Sequence, residues 1–382
     1  VTTTDSDVSG EAFHLIYSED ERLLRDTCRK YLDTEMPLSG VRRTLDEGLP
    51  PGYWAGISAL GWPGVVIPEA YEGYGYGLRE LAVLATEHGR SVAPGPLLSS
   101  SVFAMALSTA GTDQQRAELL PRVAAGELVG SCSLDVDGAL GELTLSRRTE
   151  RTALTLTGTR RLVAEAAPAD YVVVDVTYEG STRLVLIPMK DPAVRVRDMA
   201  TIDLARRFSE ISFDGVTVST GSMLPADPLC RQHVIDIATV IQCAESVGAA
   251  ERLLEMTVTH ALSRHQFGRP IGSFQAIKHR LADMRIRVQA CRAATRYAAW
   301  ALAAGRDDAT RAAHVAKQYG GEAASWVASE ALQIHGGIGF TWAHDLHLFL
   351  RRIKANELTL GTPDWHARRL ADWCVAPSQG RR

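Results

Sequence analysis

The chain has 382 residues, 46% of them hydrophobic and 23% charged, with a formal net charge of −4 at pH 7. At roughly 150 residues per domain this suggests two or three units of ordinary globular composition. The slightly acidic balance gives no general attraction to nucleic acid or to an anionic membrane. Residues 1–10 are polar and acidic, and no run approaches the roughly 18 apolar residues of a membrane span, so a cytoplasmic location is expected. Cys28, Cys132, Cys230, Cys243, Cys291 and Cys374 are scattered without a Cys-x-x-Cys pair and read as reduced thiols.

Ser18 and Glu21 form a capping box, after which Leu23, Leu24, Cys28, Tyr31 and Leu32 recur at helical spacing up to Pro37. Residues 53–60 read as a helix ended by Gly61, and residues 62–77 as a Gly/Pro/Tyr-rich loop. The tyrosines of that loop suit either a pocket wall or a cover over the first helices. Helical patterns return at 78–88, 99–110 and 112–125. Near Gly126 the hydrophobic period drops from about 3.6 to about 2, and short β-rich runs follow at 143–146, 153–157, 171–176, 184–187 and 211–213. From His233 the helical period resumes, at 234–262, 273–304, 310–335 and 346–358. The expectation is an α+β chain with an N-terminal helical domain (11–129), a middle β domain (130–219) and a C-terminal four-helix bundle (230–375).

Two segments carry more than fold. Arg264-His265-Gln266-Phe267-Gly268-Arg269-Pro270-Ile271 runs into Ser273-Phe274-Gln275, and Gln333-Ile334-His335-Gly336-Gly337-Ile338-Gly339-Phe340 follows later. Arg264 is a permanently charged planar donor suited to a pyrophosphate, and glycines without Cβ let a backbone approach a ligand. With the α, β, α order, both segments resemble the acyl-CoA dehydrogenase family over about residues 17–373. The resemblance implies FAD and a dimer in which Arg264, Gln266, Phe267, Gln333, Gly336 and Gly337 hold the adenosine and pyrophosphate of a flavin whose ring lies in the other subunit. It further implies an acyl-CoA substrate and an electron-transferring flavoprotein as acceptor.

The family's reaction needs a carboxylate for the α-proton, a flavin for the β-hydride and donors to polarise the thioester. Where most members carry Glu before Gly-Thr, this chain has Leu360-Gly361-Thr362, and the alternative base position counts back from Arg264 to Ala238. Leu134-Asp135-Val136-Asp137-Gly138-Ala139-Leu140 replaces the usual flavin-flanking loop, Leu162-Val163-Ala164 stands for Trp-x-Thr, and Ala343 occupies a position usually acidic. The pattern resembles the non-catalytic partner in heteromeric actinobacterial dehydrogenases of the steroid side-chain type. It implies a subunit, possessing no base of its own, that completes the FAD site of a second subunit carrying the catalytic Glu. A self-sufficient enzyme would need a relocated base, for which Glu245 is the candidate, about two turns along a helix from Ala238; Asp236, Glu251 and Glu357 rank below it, the last two reading as solvated. A redox-inactive acyl-CoA-binding or structural homologue is a further alternative. His344, Asp345 and His347 lack a fourth ligand, and a helix start explains them without a metal.

Overall fold

The computed structural model describes residues 13–147, 154–224 and 228–375. The polar first ten residues, the start of the strand expected at 153 and the boundary at Pro225 lie outside them.

Helix α1 (Glu19–Glu35) starts at the expected capping box, with Ser18 and Glu21 bonded reciprocally at 3.1 and 2.8 Å. It is followed by α2 (Leu38–Glu47), α3 (Tyr53–Ala59), α4 (Leu78–Ser91), α5 (Leu97–Ala110) and α6 (Asp113–Ala124). The loop before α4 folds back on α3's successor turn, with Tyr74, Gly75 and Tyr76 donating backbone N–H groups to Gly64, Ile67 and Val65. Tyr74 and Tyr76 are exposed, so this loop covers the helices and does not form an interior pocket wall.

Strands β1 (Gly130–Ser133), β2 (Leu143–Arg147), β3 (Leu154–Ala164), β4 (Tyr171–Tyr178), β5 (Ser181–Pro188), β6 (Val194–Met199) and β7 (Phe208–Val218) form one mixed sheet among the described residues. β5 runs antiparallel along the whole of β4, while β1 and β2 meet β4 in parallel. The long β3–β7 pairing continues through two register shifts, between Leu156 and Thr157 and between Arg160 and Val163. The sheet has its own apolar core around Leu156, Val174, Val185 and Ile211.

The C-terminal helices are α7 (Pro228–Ser263), α8 (Gln275–Ala303), α9 (Ala309–His335), α10 (Leu346–Leu358) and α11 (Pro363–Val375). α7, α8 and α9 pack on one another, and α10 and α11 lie against α9. α7 also crosses α4 so closely that a Cβ at Gly89 would strike the carbonyl of Glu245, and one at Gly248 the carbonyl of Thr86. Glycine at both positions is therefore a packing requirement, and it brings α4, α7 and the sheet around one cavity.

Candidate functional site

After α7 the chain makes a two-stranded hairpin, β8 (His265–Gln266) with β9 (Arg269–Pro270), turning at Phe267 and Gly268 with φ of 52° and 76°. Positive φ at both turn residues suits a right-twisted hairpin. It leaves Phe267 92% exposed, edge-on to Phe274 with ring centroids 6.1 Å apart, and the Arg269 guanidinium stacks on Phe274 at 4.1 Å. Arg264, Gln266 and Gln333 are exposed, and their side chains make no hydrogen bond or ion pair among the described residues. Gly336 turns α9 into a 3₁₀ segment at φ 62°, and a Cβ at Gly336 or Gly337 would meet nothing within 4 Å. The two segments meet at one end of the bundle: His260, a turn before Arg264, stacks on His335 at 4.4 Å, and His335 lies 4.9 Å from His344. Unsatisfied guanidinium and amide donors beside open backbone are the chemistry of an anion-binding surface.

The other positions converge on a half-open cavity of about 150 Å³. Leu162 and Ala164 from β3, Ala238 from α7, Leu360 beyond α10, and Leu134 and Leu140 from the loop after β1 all line it. Leu360 (φ 57°) and Leu162 (φ 52°) both hold left-handed backbone. Both candidate base positions thus face one space, and neither carries an atom that can accept a proton. In the loop, Asp135 turns inward to accept from the N–H groups of Gly138 at 2.8 Å and Leu140 at 3.3 Å.

Glu245 also lines the cavity but is bound on every side. It accepts from Arg206, from Arg352 at 2.6 Å and from Asn356 at 3.0 Å, and Arg352 is shared with Asp203. Burial alone would raise its pKa, yet the two guanidinium groups outweigh that and hold it at about 2. A carboxylate so poised accepts protons poorly near neutrality. Asp236 does not line the cavity; it is bonded to Thr310 at 2.7 Å and Gln232 at 2.8 Å. Glu251 and Glu357, expected to be solvated, are instead half-buried and paired, with Arg292 at 3.6 Å and with Ser325 and Lys354. Helix packing, which a one-dimensional pattern does not carry, buries them. At α10, Asp345 pairs with Arg42, His347 stacks on Trp342 and His344 accepts from the N–H of Leu346.

Among the groups not singled out from sequence, His88 and Glu165 line the cavity, and Lys317 holds the turn beside it. His88 on α4 is 2% exposed, and burial lowers its pKa to about 4. Glu165, next after Ala164, is 5% exposed, has φ 52°, and burial raises its pKa to about 6. Lys317 is buried and donates to Gln242, to the carbonyl of Asn356 and to that of Thr359 at 2.7 Å, fixing the turn that carries Leu360. An acid directly after an apolar strand is the signal by which Glu165 could be found.

The acyl-CoA dehydrogenase N-terminal domain model matches residues 18–127, and the C-terminal domain model matches 232–374. Acyl-CoA dehydrogenase IpdE2 of Mycobacterium tuberculosis is 32% identical over 356 residues, covering 92% of this chain and 96% of the relative. IpdE2 of Mycolicibacterium smegmatis is 30% identical over 92% of this chain and 98% of its own. Among solved structures, the ChsE4–ChsE5 complex from Mycobacterium tuberculosis aligns with a TM-score of 0.88 at 26% identity, over 96% of this chain and 100% of that one. A variant of the Tcur3481–Tcur3483 steroid acyl-CoA dehydrogenase aligns at 0.85 and 29% identity, over 93% and 98%. No helix among the described residues is long and apolar enough to cross a membrane. The chain belongs to the acyl-CoA dehydrogenase family.

Proposed function

We propose that this chain is a subunit of a heteromeric, FAD-dependent acyl-CoA dehydrogenase: it contributes the adenosine-side clamp to a flavin site completed by a second subunit, which carries the catalytic Glu. One observation carries the reading. Leu360 and Ala238, the two positions available for a base, line the same cavity as Leu162 and Ala164, while the clamp segments keep Arg264, Gln266 and Gln333 unpaired at the surface.

The fit to FAD is therefore one-sided. Arg264 would neutralise the pyrophosphate as a guanidinium fork, Gln266 and Gln333 would donate to the adenosine end, and Gly336 and Gly337 leave room for close backbone approach. The ring side offers no aromatic at Leu162 and no hydroxyl at Ala164. FAD held between two such chains supplies the hydride acceptor, and acyl α,β-dehydrogenation belongs to the partner's pocket. Exposed Phe267, Phe340, Trp342 and Ile338 on the clamp face are the apolar surface that a second subunit would cover. Similar structures described as a two-protein complex and as a steroid acyl-CoA dehydrogenase support an unlike partner and a bulky acyl-CoA ester; electron-transferring flavoprotein is the acceptor we expect.

The test is a visible spectrum of the chain alone and of its complex with a candidate partner, before and after acyl-CoA. We expect a colourless chain and a yellow complex that bleaches. A chain that is yellow and bleachable by itself would sink the proposal.

A further inference from the structure

Helix α8 is packed unevenly along its length. In its second half Cys291, Thr295, Ala298, Ala299, Ala301 and Leu302 are buried, with Phe13 set against Tyr297 and Tyr17 against Arg296. In its first half, from Gln275 to Gln289, only Met284 and Val288 are buried, and Ile286 is 65% exposed. Ile286 stands two residues from each of them, about 200° around the helix and so on the side away from the bundle. A helix resting on a bundle ordinarily turns its apolar side chains inward. The uncovered stretch leads straight out of the clamp hairpin through Phe274, extending the face on which Phe267 stands free.

Its charge is one-sided. Residues 264–287 hold six cations, Arg264, Arg269, Lys278, Arg280, Arg285 and Arg287, against the single acid Asp283, in a chain whose total is −4. Arg280 pairs with Glu330 at 2.7 Å and Arg287 lies on Trp326 at 4.3 Å, both on α9. Lys278 and Arg285 are exposed and make no hydrogen bond or ion pair among the described residues. Seven residues apart, they share one side of the helix, with exposed Ala282 between them and Ile286 beside them. A closed two-fold pair of like subunits sets the same patch on both members, which here would bring cations against cations with only Asp283 to offset them. We infer that the first half of α8 is the face that selects an unlike subunit: it receives an acidic surface of the partner around an apolar contact at Ile286, and it repels a second copy of this chain. The inference rests on the reading of this chain as one member of a heteromer, and it names the chemistry of the other member's face. Charges so placed steer encounter and discriminate between partners more than they add affinity.

The test compares the chain alone with its yellow complex, by sedimentation velocity and by hydrogen–deuterium exchange. We expect exchange over residues 275–287 to slow in the complex. Raising salt from about 0.1 to about 1 M, which shortens the Debye length from about 10 to about 3 Å, should weaken association at least about tenfold. Lys278→Glu and Arg285→Glu should each weaken the complex several-fold, and the double variant should self-associate more tightly than the parent chain. Both side chains are exposed, so circular-dichroism melts should match the parent's, and the exchange measurement needs no variant. Exchange over 275–287 that is identical in chain and complex, association indifferent to salt and to both reversals, or a parent chain that pairs with itself as tightly as with its partner would each overturn the inference. A yellow complex indifferent to salt overturns this inference alone, whereas flavin absorption by the isolated chain would overturn the subunit reading with it.

Discussion

Replacing Glu245 with Gln separates a structural carboxylate from a catalytic one. The side chain is 1% exposed and takes hydrogen bonds from Arg206, Arg352 and Asn356. Gln keeps the shape but turns an NH₂ toward a guanidinium, leaving Arg352 with Asp203 and the Arg206 guanidinium with only the neutral Asn356 amide oxygen. Breaking a buried ion pair from one side costs about 3–5 kcal/mol. The carboxyl's descent from 4.5 to about 2 gives an independent figure of roughly 3 kcal/mol. At about 2–4 °C per kcal/mol for large domains, thermal unfolding should begin roughly 6–20 °C lower. Because the folded pKa lies below the unfolded one, this stabilisation is complete above pH 4.5 and disappears as pH falls through about 2. Parent and variant should therefore differ most near neutrality and converge in acid, as read by circular-dichroism melts across that range. Turnover of the complex, measured below the variant's melting point, should persist. A variant that melts like the parent but has lost turnover would show Glu245 to be the base and refute the argument.

In the complex, Arg264→Ala should loosen FAD by about 10- to 150-fold, the loss of one charge-assisted hydrogen bond; a flavin-to-protein ratio unchanged by exhaustive dialysis would contradict the clamp. Leu360→Glu in the chain alone should give no acyl-CoA-dependent dye reduction, since Leu162 and Ala164 still line the ring side, and measurable turnover would show that side to be functional. Burial lowers the pKa of His335 to about 4, with Ala331, His260 and His344 facing it. Its contribution to the clamp is thus complete above 6.5, its unfolded value, and lost as pH falls toward 4. Flavin release from the complex should accordingly rise across that interval, and be blunted in His335→Gln; retention down to pH 4 would exclude the histidine stack.

Local pattern carried the helices furthest. The amphipathic period and the boundaries at Leu346 and Leu358 agree with α10, and Ser18 with Glu21 marked the start of α1 because a capping box is a bond between near neighbours. Elements without a periodic core face were missed. α2 follows Pro37 and holds Gly40, β1 reads Gly-Ser-Cys-Ser, and β6 is an edge strand whose Val and Arg side chains are mostly exposed. α11 was missed as well; Pro363 is its first residue, where a missing N–H costs nothing.

At the candidate site the division follows the range of the physics. Sequence alone settled what Leu360 and Ala238 lack, since a side chain without an acceptor atom has none in any fold; that the Arg264 segment is an exposed hairpin came from the structure. Only the tertiary structure brought α4, β1, β3 and α7 around one cavity. It alone decided that Glu245 is held ionised by Arg206 and Arg352, and that Glu165 and His88 line the same space. Ionisation and hydrogen-bond satisfaction depend on groups tens to more than a hundred residues apart in the chain, and packing is what brings them within reach.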